Sequence, residues 1–193
     1  SLVKVAGKTV LEHIIERLKV LDVDEYIFIT DENGGQVESF MTEHFPELHC
    51  SYHVQQQRLG PAHAVALAAP SIQPGDDLLV VFNDTIFVTD LTRIDHLCAD
   101  ADGLIYSREV EDYQRFGVNV MAGDYIVDMV EKPETPVSRL AQVGLYYLKD
   151  GAGFIAAIED TIAAGDTVKG EYYLPAVFMR MITEGKKFKA PQI

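Results

Sequence analysis

Three short runs have residue types and spacing that suit chemistry. Asn83-Asp84 follows Leu78-Leu79-Val80-Val81-Phe82, the most strongly apolar run in the chain. Asp84 therefore falls at the carboxyl end of a strand, where α/β sheets meet their ligands. One carboxylate together with substrate phosphates is how proteins commonly hold Mg²⁺. Taken alone, the same dipeptide reads more readily as a turn that closes a strand. Gln55-Gln56-Gln57-Arg58-Leu59-Gly60 lies between a strand and a helix. A Gln amide offers donor and acceptor together, matching the edge of a pyrimidine base. Gly60 would let a flat ring approach the backbone. A polar loop that only caps the next helix is an equal reading. Glu131-Lys132-Pro133 ends a second strand. A carboxylate can accept from two sugar hydroxyls and an adjacent ammonium can hold a phosphate. A solvated charge pair is the commoner meaning of an isolated Glu-Lys-Pro.

The elements that would carry these runs alternate. Leu11, Ile14, Ile15 and Leu18 recur at helical spacing, which predicts a helix over 8–21. Tyr26-Ile27-Phe28-Ile29 is a short apolar strand, and Val37, Phe40 and Met41 mark a second helix after Asn33-Gly34-Gly35. Residues 48–54 alternate as a strand, and an Ala-rich helix opens at Pro61, a residue tolerated in a first turn. The 78–82 strand reads as the middle of a sheet covered on both faces. A helix near 91–99 and a strand at 104–106 follow. Residues 116–121 and 125–131 flank Ala122-Gly123-Asp124 as a hairpin. A strand at 143–148 precedes helices near 151–164 and 171–184. The plan predicts an α/β fold, a Rossmann-like three-layer α/β/α sandwich with a mixed, mostly parallel central sheet.

Composition narrows the partners. The 193 residues suit one domain, and 48% apolar content supports a core without staples. With 16 Lys and Arg against 30 Asp and Glu, the net charge of −14 argues against nucleic acid or an anionic membrane. It leaves nucleotides open, because a divalent cation masks phosphate charge locally. Cys50 and Cys98 are too few for a disulfide framework and read as buried thiols in a cytoplasmic protein. No run reaches the length of a membrane span. Ala6-Gly7-Lys8-Thr9 ends like a P-loop, but the glycine required five positions before Gly7 is Leu2. There is no G-x-G-x-x-G. His49 and Cys50 point to opposite faces of a strand, which disfavours a zinc site.

Each run is weak alone, but their order is specific. A Val-Ala-Gly-Lys segment leads into an apolar helix, and Gln55 stands five residues before Gly60. An apolar strand ends at Asp84. Then come Phe116-Gly117-Val118, Val130-Glu131-Lys132-Pro133, Val143-Gly144-Leu145-Tyr146 and Gly170-Glu171-Tyr172. This succession resembles the sugar-1-phosphate nucleotidyltransferases, the NDP-sugar pyrophosphorylases, from about Val3 to Phe188. The resemblance implies transfer of a nucleotidyl group from a nucleoside triphosphate, dTTP or UTP favoured, to a sugar 1-phosphate, with pyrophosphate leaving. It implies base recognition by Gln55 and Gly60, and Asp84 as the catalytic residue that binds Mg²⁺. It implies that Gly117 lets the sugar lie against backbone. Glu131 would take sugar hydroxyls, Lys132 the sugar phosphate, Gly144 a place in the sugar pocket, and Glu171 another position in the site.

The departures are as specific. Relatives begin with a strand and a glycine-rich loop carrying an Arg, then a Pro-Lys, and carry a second metal-binding Asp beyond a Trp-rich segment. The resemblance therefore implies one nucleotidyltransferase-like domain, 1–193, without those two segments. Losing the first strand, normally central in the sheet, predicts either self-association or a groove where that strand belongs. Asn83 replaces the usual glycine before the metal Asp, and Pro175 replaces a polar residue. Two alternatives remain open: a non-catalytic nucleotide-sugar-binding or regulatory paralogue, and a cytidylyltransferase for phosphocholine-like substrates.

Overall fold

The computed structural model describes residues 1–193. A small hairpin of β1 (Lys4–Val5) and β2 (Lys8–Thr9) opens the chain. Helix α1 (Val10–Leu18) starts at once because Thr9 and Glu12 cap each other. Thr9 Oγ1 accepts from the Glu12 amide at 3.0 Å, and the Glu12 carboxylate accepts from the Thr9 amide at 2.6 Å. The helix is shorter than the predicted 8–21, since the hairpin takes its first turn. Its apolar stripe buries Val10, Leu11, Ile14, Ile15 and Leu18, each worth roughly 1.5–3 kcal/mol relative to exposure.

Strand β3 (Tyr26–Thr30), helix α2 (Gly35–His44) and strand β4 (Cys50–Val54) form a βαβ unit. The two strands pair parallel from Tyr26 with Cys50 to Thr30 with Val54. Helix α3 (Pro61–Ala66), strand β5 (Leu78–Val81), helix α4 (Ile94–Leu97) and strand β6 (Gly103–Glu109) follow. Strands β7 (Gly117–Ala122) and β8 (Tyr125–Glu131) make the predicted hairpin. Strand β9 (Leu140–Leu148), helices α5 (Gly151–Ala163) and α6 (Leu174–Thr183) and the short strand β10 (Phe188–Lys189) complete the chain.

Strand β9 organises the larger, six-stranded sheet. It pairs antiparallel with β6 on one edge, and with β5 and β7 on the other. Strand β10 joins β6 in parallel. Four of the six strands, β5, β6, β7 and β10, therefore run one way, against β8 and β9. Alternation along β6 and β9 splits the core in two. Leu104, Tyr106, Leu145 and Tyr147 face α1 and the β3–β4 unit. Ile105, Tyr146 and Leu148 face α5 and α6, against Phe154, Ile158, Val177 and Phe178. The result is the expected three-layer α/β sandwich with a mixed sheet.

One expectation fails. Strand β5 does not lie mid-sheet: it pairs on one edge only, with β9, and all four of its residues are half-buried. Strand β3 also pairs on one edge only, with β4. The edges of β3 and β5 that have no ladder border a groove of about 1170 Å³, floored by Leu11, Ile14 and Ile15 of α1. The predicted groove is thus present. Of the two thiols, Cys98 is buried and Cys50 half-buried. No helix is long and apolar enough to cross a membrane.

Candidate functional site

Gln55 continues strand β4 by donating its amide to the Thr30 carbonyl at 2.7 Å. Its side-chain nitrogen donates to the Gly60 carbonyl at 3.2 Å and lies 3.0 Å from His63 Nδ1. With both amide protons spent inside the loop, Gln55 has its Oε1 left to offer, as an acceptor. Gly60 stands at φ +99°, a conformation that favours glycine. A Cβ there would lie 2.6 Å from the Tyr172 carbonyl oxygen and 2.7 Å from the Tyr172 nitrogen. The space on the Cβ side of Gly60 is therefore filled by the chain itself. Backbone bonds from Tyr172 to Leu59 (2.8 Å) and from Ala62 to Tyr172 (3.0 Å) seal this contact. They also explain why α6 starts at Leu174 and not at 171: residues 170–173 are drawn to the Gln55 loop.

That segment brings Glu171 to the end of β8. The Tyr173 hydroxyl donates to the Glu171 carboxylate and accepts from Lys132 Nζ at 3.1 Å. Lys132 Nζ lies 3.5 Å from Glu131 Oε1 and 4.7 Å from the centre of the Tyr173 ring. The Glu131 side chain keeps only 11% of its surface. Burial pushes its carboxyl above the ordinary range, although the Lys132 ammonium opposes this. Lys132 is held above its usual value, first by its hydrogen bond to Tyr173. Two predicted residues, Lys132 and Glu171, thus meet at one phenol, and a third, Glu131, joins them through Lys132.

Gly117 pairs with Glu131 across the hairpin. A Cβ on Gly117 would lie 2.9 Å from Glu131 Oε2 and 3.3 Å from the end of the Gln142 side chain. The glycine makes room for the Glu131 carboxylate. Gly144, at φ +73°, sits in β9 between the stretch that pairs with β7 and the stretch that pairs with β5. Its Cβ position is filled by Phe82, whose ring would be 2.9 Å away, and its carbonyl accepts from the Phe82 amide at 2.7 Å. Gly144 therefore anchors the chain two residues before Asp84.

Asp84 is exposed just past β5 and accepts only from Thr85 Oγ1, at 3.3 Å. It makes no hydrogen bond or ion pair with the other predicted site residues. No three His, Cys, Asp or Glu side chains group closely enough to hold a metal ion by themselves. A lone carboxylate suits magnesium that draws its remaining oxygens from phosphates and water. The buried Tyr146 hydroxyl senses both acids: its pKa is raised by burial, then by the charges of Glu131 and Asp84.

Sequence reasoning missed Tyr173 and Gln142, took His63 for an ordinary helix histidine, and gave Tyr146 no role although it stands in the Val143-Gly144-Leu145-Tyr146 run. Tyr173 follows Gly170-Glu171-Tyr172 directly, so extending that run by one residue would have found it. Gln142 stands two residues before Gly144, and nothing in its local pattern marks it.

Comparison with known proteins agrees with the fold. A family model described as nucleotidyl transferase matches residues 1–186. The bifunctional protein GlmU of Halalkalibacterium halodurans is 27% identical over 197 residues, covering 96% of this chain and 41% of that protein. A Sulfolobus acidocaldarius protein described as a mannose-1-phosphate guanyltransferase is 25% identical over 155 residues, covering 77% of this chain and 42% of its own length. The chain thus spans about two fifths of these curated relatives. A Bacillus anthracis structure described as a glucose-1-phosphate thymidylyltransferase in complex with sucrose superposes with a TM-score of 0.84 at 23% identity. It covers 100% of this chain and 77% of that one, a likeness of fold. A family match over nearly every residue, joined to the order of motifs and the fold, shows that the chain belongs to the nucleotidyl transferase family.

Proposed function

We propose that the protein transfers a nucleotidyl group from a nucleoside triphosphate, dTTP or UTP by preference, to a sugar 1-phosphate. The observation that carries this is the cluster in which Lys132 links Glu131 to the Tyr173 hydroxyl, which in turn holds Glu171. Two carboxylates and one ammonium suit a polyhydroxylated ligand bearing one phosphate. Glu131 accepts from sugar hydroxyls, and Lys132 sits next to it for the phosphate. A phosphate oxygen of the sugar 1-phosphate attacks the α-phosphorus. The bond from that phosphorus to the bridging oxygen breaks, and its electron pair leaves on pyrophosphate. Such transfer needs positioning and charge neutralisation more than covalent help.

Asp84 is the residue that would hold Mg²⁺, which neutralises phosphate charge when bound. Gln55 is consistent with uracil or thymine: its fixed acceptor, Oε1, complements their N3–H, as it would the N1–H of guanine. The relatives' names span guanylyl and thymidylyl transfer, so the base preference rests on Gln55 alone. We place this protein in the cytoplasm, where nucleoside triphosphates are made.

Calorimetric titration with Mg²⁺ and dTTP, UTP, CTP, ATP or GTP tests the reading, with UDP-glucose and dTDP-glucose alongside. Tighter binding of dTTP or UTP, weakened roughly tenfold in Gln55→Ala, supports it. Preference for a purine removes the dTTP/UTP assignment, and no binding of any nucleotide or nucleotide sugar overturns the function. Binding without pyrophosphate release favours the non-catalytic reading.

A further inference from the structure

Four of the residues in β3 and β5 turn their backbone groups to an open edge. Tyr26 donates its amide to the His49 carbonyl at 2.8 Å, and Thr30 accepts from the Gln55 amide at 2.7 Å. Tyr26, Phe28 and Thr30 therefore face β4, and the backbone groups of Ile27 and Ile29 point the other way. Phe82 donates to the Gly144 carbonyl at 2.7 Å, so by the same alternation those of Leu79 and Val81 point away from β9. All four residues line the groove between the two strands.

The two open edges run the same way. Ser71 Oγ donates to Glu25 Oε1, just before β3, at 3.4 Å. Its neighbour Ile72 and Leu78, the first residue of β5, both reach the Cβ position of Gly151, at 3.3 and 3.1 Å. Both strands thus start at one end of the groove and finish at the other, at Thr30 and at Asn83-Asp84. Leu11, Ile14 and Ile15 of α1 belong to one half of the core and Val65 of α3 to the other, and all line the groove. Anything seated there is covered on both faces, which suits an apolar run better than an alternating one. With roughly 3.3 Å per residue, 4.8 Å between strands and 10 Å between layers, the groove's volume of about 1170 Å³ takes a strand of roughly seven residues.

The end where the strands start is acidic. Asp22, Asp24 and Glu25 precede β3, and Asp76 and Asp77 precede β5. Asp95 joins them: the Tyr147 phenol, raised first by burial and then by its hydrogen bond to Asp77, also feels the Asp95 charge. None of these carboxylates has an ion-pair partner. No Lys, Arg or His side chain lines the groove.

We propose that the groove is an interaction surface for one partner strand, apolar on both faces, cationic at its amino end and parallel to β3 and β5. Seated there, the strand bonds to Ile27 and Ile29 on one side and to Leu79 and Val81 on the other, and joins the two sheets into one. Its amino end meets the acidic mouth. Its carboxyl end emerges between Thr30 and Asp84. A second copy of this chain is the poorer occupant, because it brings a net charge of −14 and the same acidic mouth.

The test adds three synthetic peptides with blocked termini to the full chain. They are Lys-Lys-Val-Ile-Val-Ala-Ala, the same residues with both lysines at the carboxyl end, and the first peptide with Glu-Glu for Lys-Lys. By calorimetry the first should bind about tenfold or more tightly than the other two. It should raise the melting temperature, slow amide exchange at Ile27, Ile29, Leu79 and Val81, and break up any species formed by edge pairing between copies. Asp24→Asn combined with Asp95→Asn, both exposed carboxylates, should weaken it roughly tenfold while the melting temperature of the free chain holds. Equal binding of the three peptides would overturn the proposal, as would binding that leaves those four amides unprotected. A chain that binds none of them, its groove closed or filled by its own copies, would overturn it too. None of these outcomes bears on nucleotidyl transfer.

Discussion

Gly117 and Glu131 face each other across the β7–β8 hairpin, and the carboxylate of one occupies the space that a side chain on the other would need. An alanine methyl at 117 would meet the free end of a side chain and not fixed backbone. The fold can yield there, but the carboxylate must move. Gly117→Ala is therefore expected to change stability by about 1 kcal/mol or less, a shift of about 2–4 °C in melting temperature. Affinity for a sugar 1-phosphate should fall roughly tenfold. A thermal melt and a calorimetric titration read the two effects separately, and unchanged affinity would detach Glu131 from the sugar.

Gly60→Ala should behave in the opposite way. Its Cβ would run into the Tyr172 backbone, and its φ of +99° strains any other residue. We expect a loss of roughly 2–4 kcal/mol in urea denaturation, because neither partner can step aside. The contact between the Gln55 loop and the Glu171 segment should open with it, seen as faster amide exchange at Ala62 and Tyr172.

The Glu131 carboxyl carries a signature in pH. Burial raises its folded pKa above the unfolded value, so the folded state holds the proton more tightly. Stability from this group is then fully present below the ordinary glutamate range and lost as pH rises through the raised folded value. Glu131→Gln removes that loss. At neutral pH it should raise the melting temperature by about 2–4 °C, the effect of ~1 kcal/mol in a chain this size. The gain should vanish below pH ~4, where both side chains are neutral. Sugar-phosphate binding should fall despite the added stability. A Glu131→Gln protein no more stable at pH 7 than the unaltered chain would show that Lys132 already offsets the burial.

The open edges of β3 and β5 predict association. Unpaired edges beside an apolar groove are templates for strand pairing. The 193-residue chain should sediment as concentration-dependent dimers or larger species, and Ile29→Lys, which sets a charge on the β3 edge, should shift it toward monomer. A concentration-independent monomer would show that the groove closes by itself.

Much of the fold was legible because strands such as Leu104–Tyr106 stand out as short apolar runs, residues 48–54 alternate, and the helices recur at helical spacing. The position of β5 was not, since an apolar run such as Leu78–Val81 looks the same whether its neighbour is present or absent. The site was legible as a set of motifs but not as geometry. Gly60, Gly117 and Gly144 each stand out in the sequence, yet whether such a gap admits a ligand or the chain's own Tyr172, Glu131 or Phe82 depends on contacts between distant segments. Gln142 was invisible for the same reason, because its partner Asn119 lies on another strand.

The β3–β4 sheet and the larger sheet share no ladder, and Gln55 lies on the seam between them. Its backbone is bonded to Thr30 in the smaller sheet, while its side chain reaches Gly60 and His63 on the α3 side. It acts as a rivet through two plates. A base that engaged this amide, as proposed, would also load the rivet and change how firmly the two halves of the molecule are clamped together.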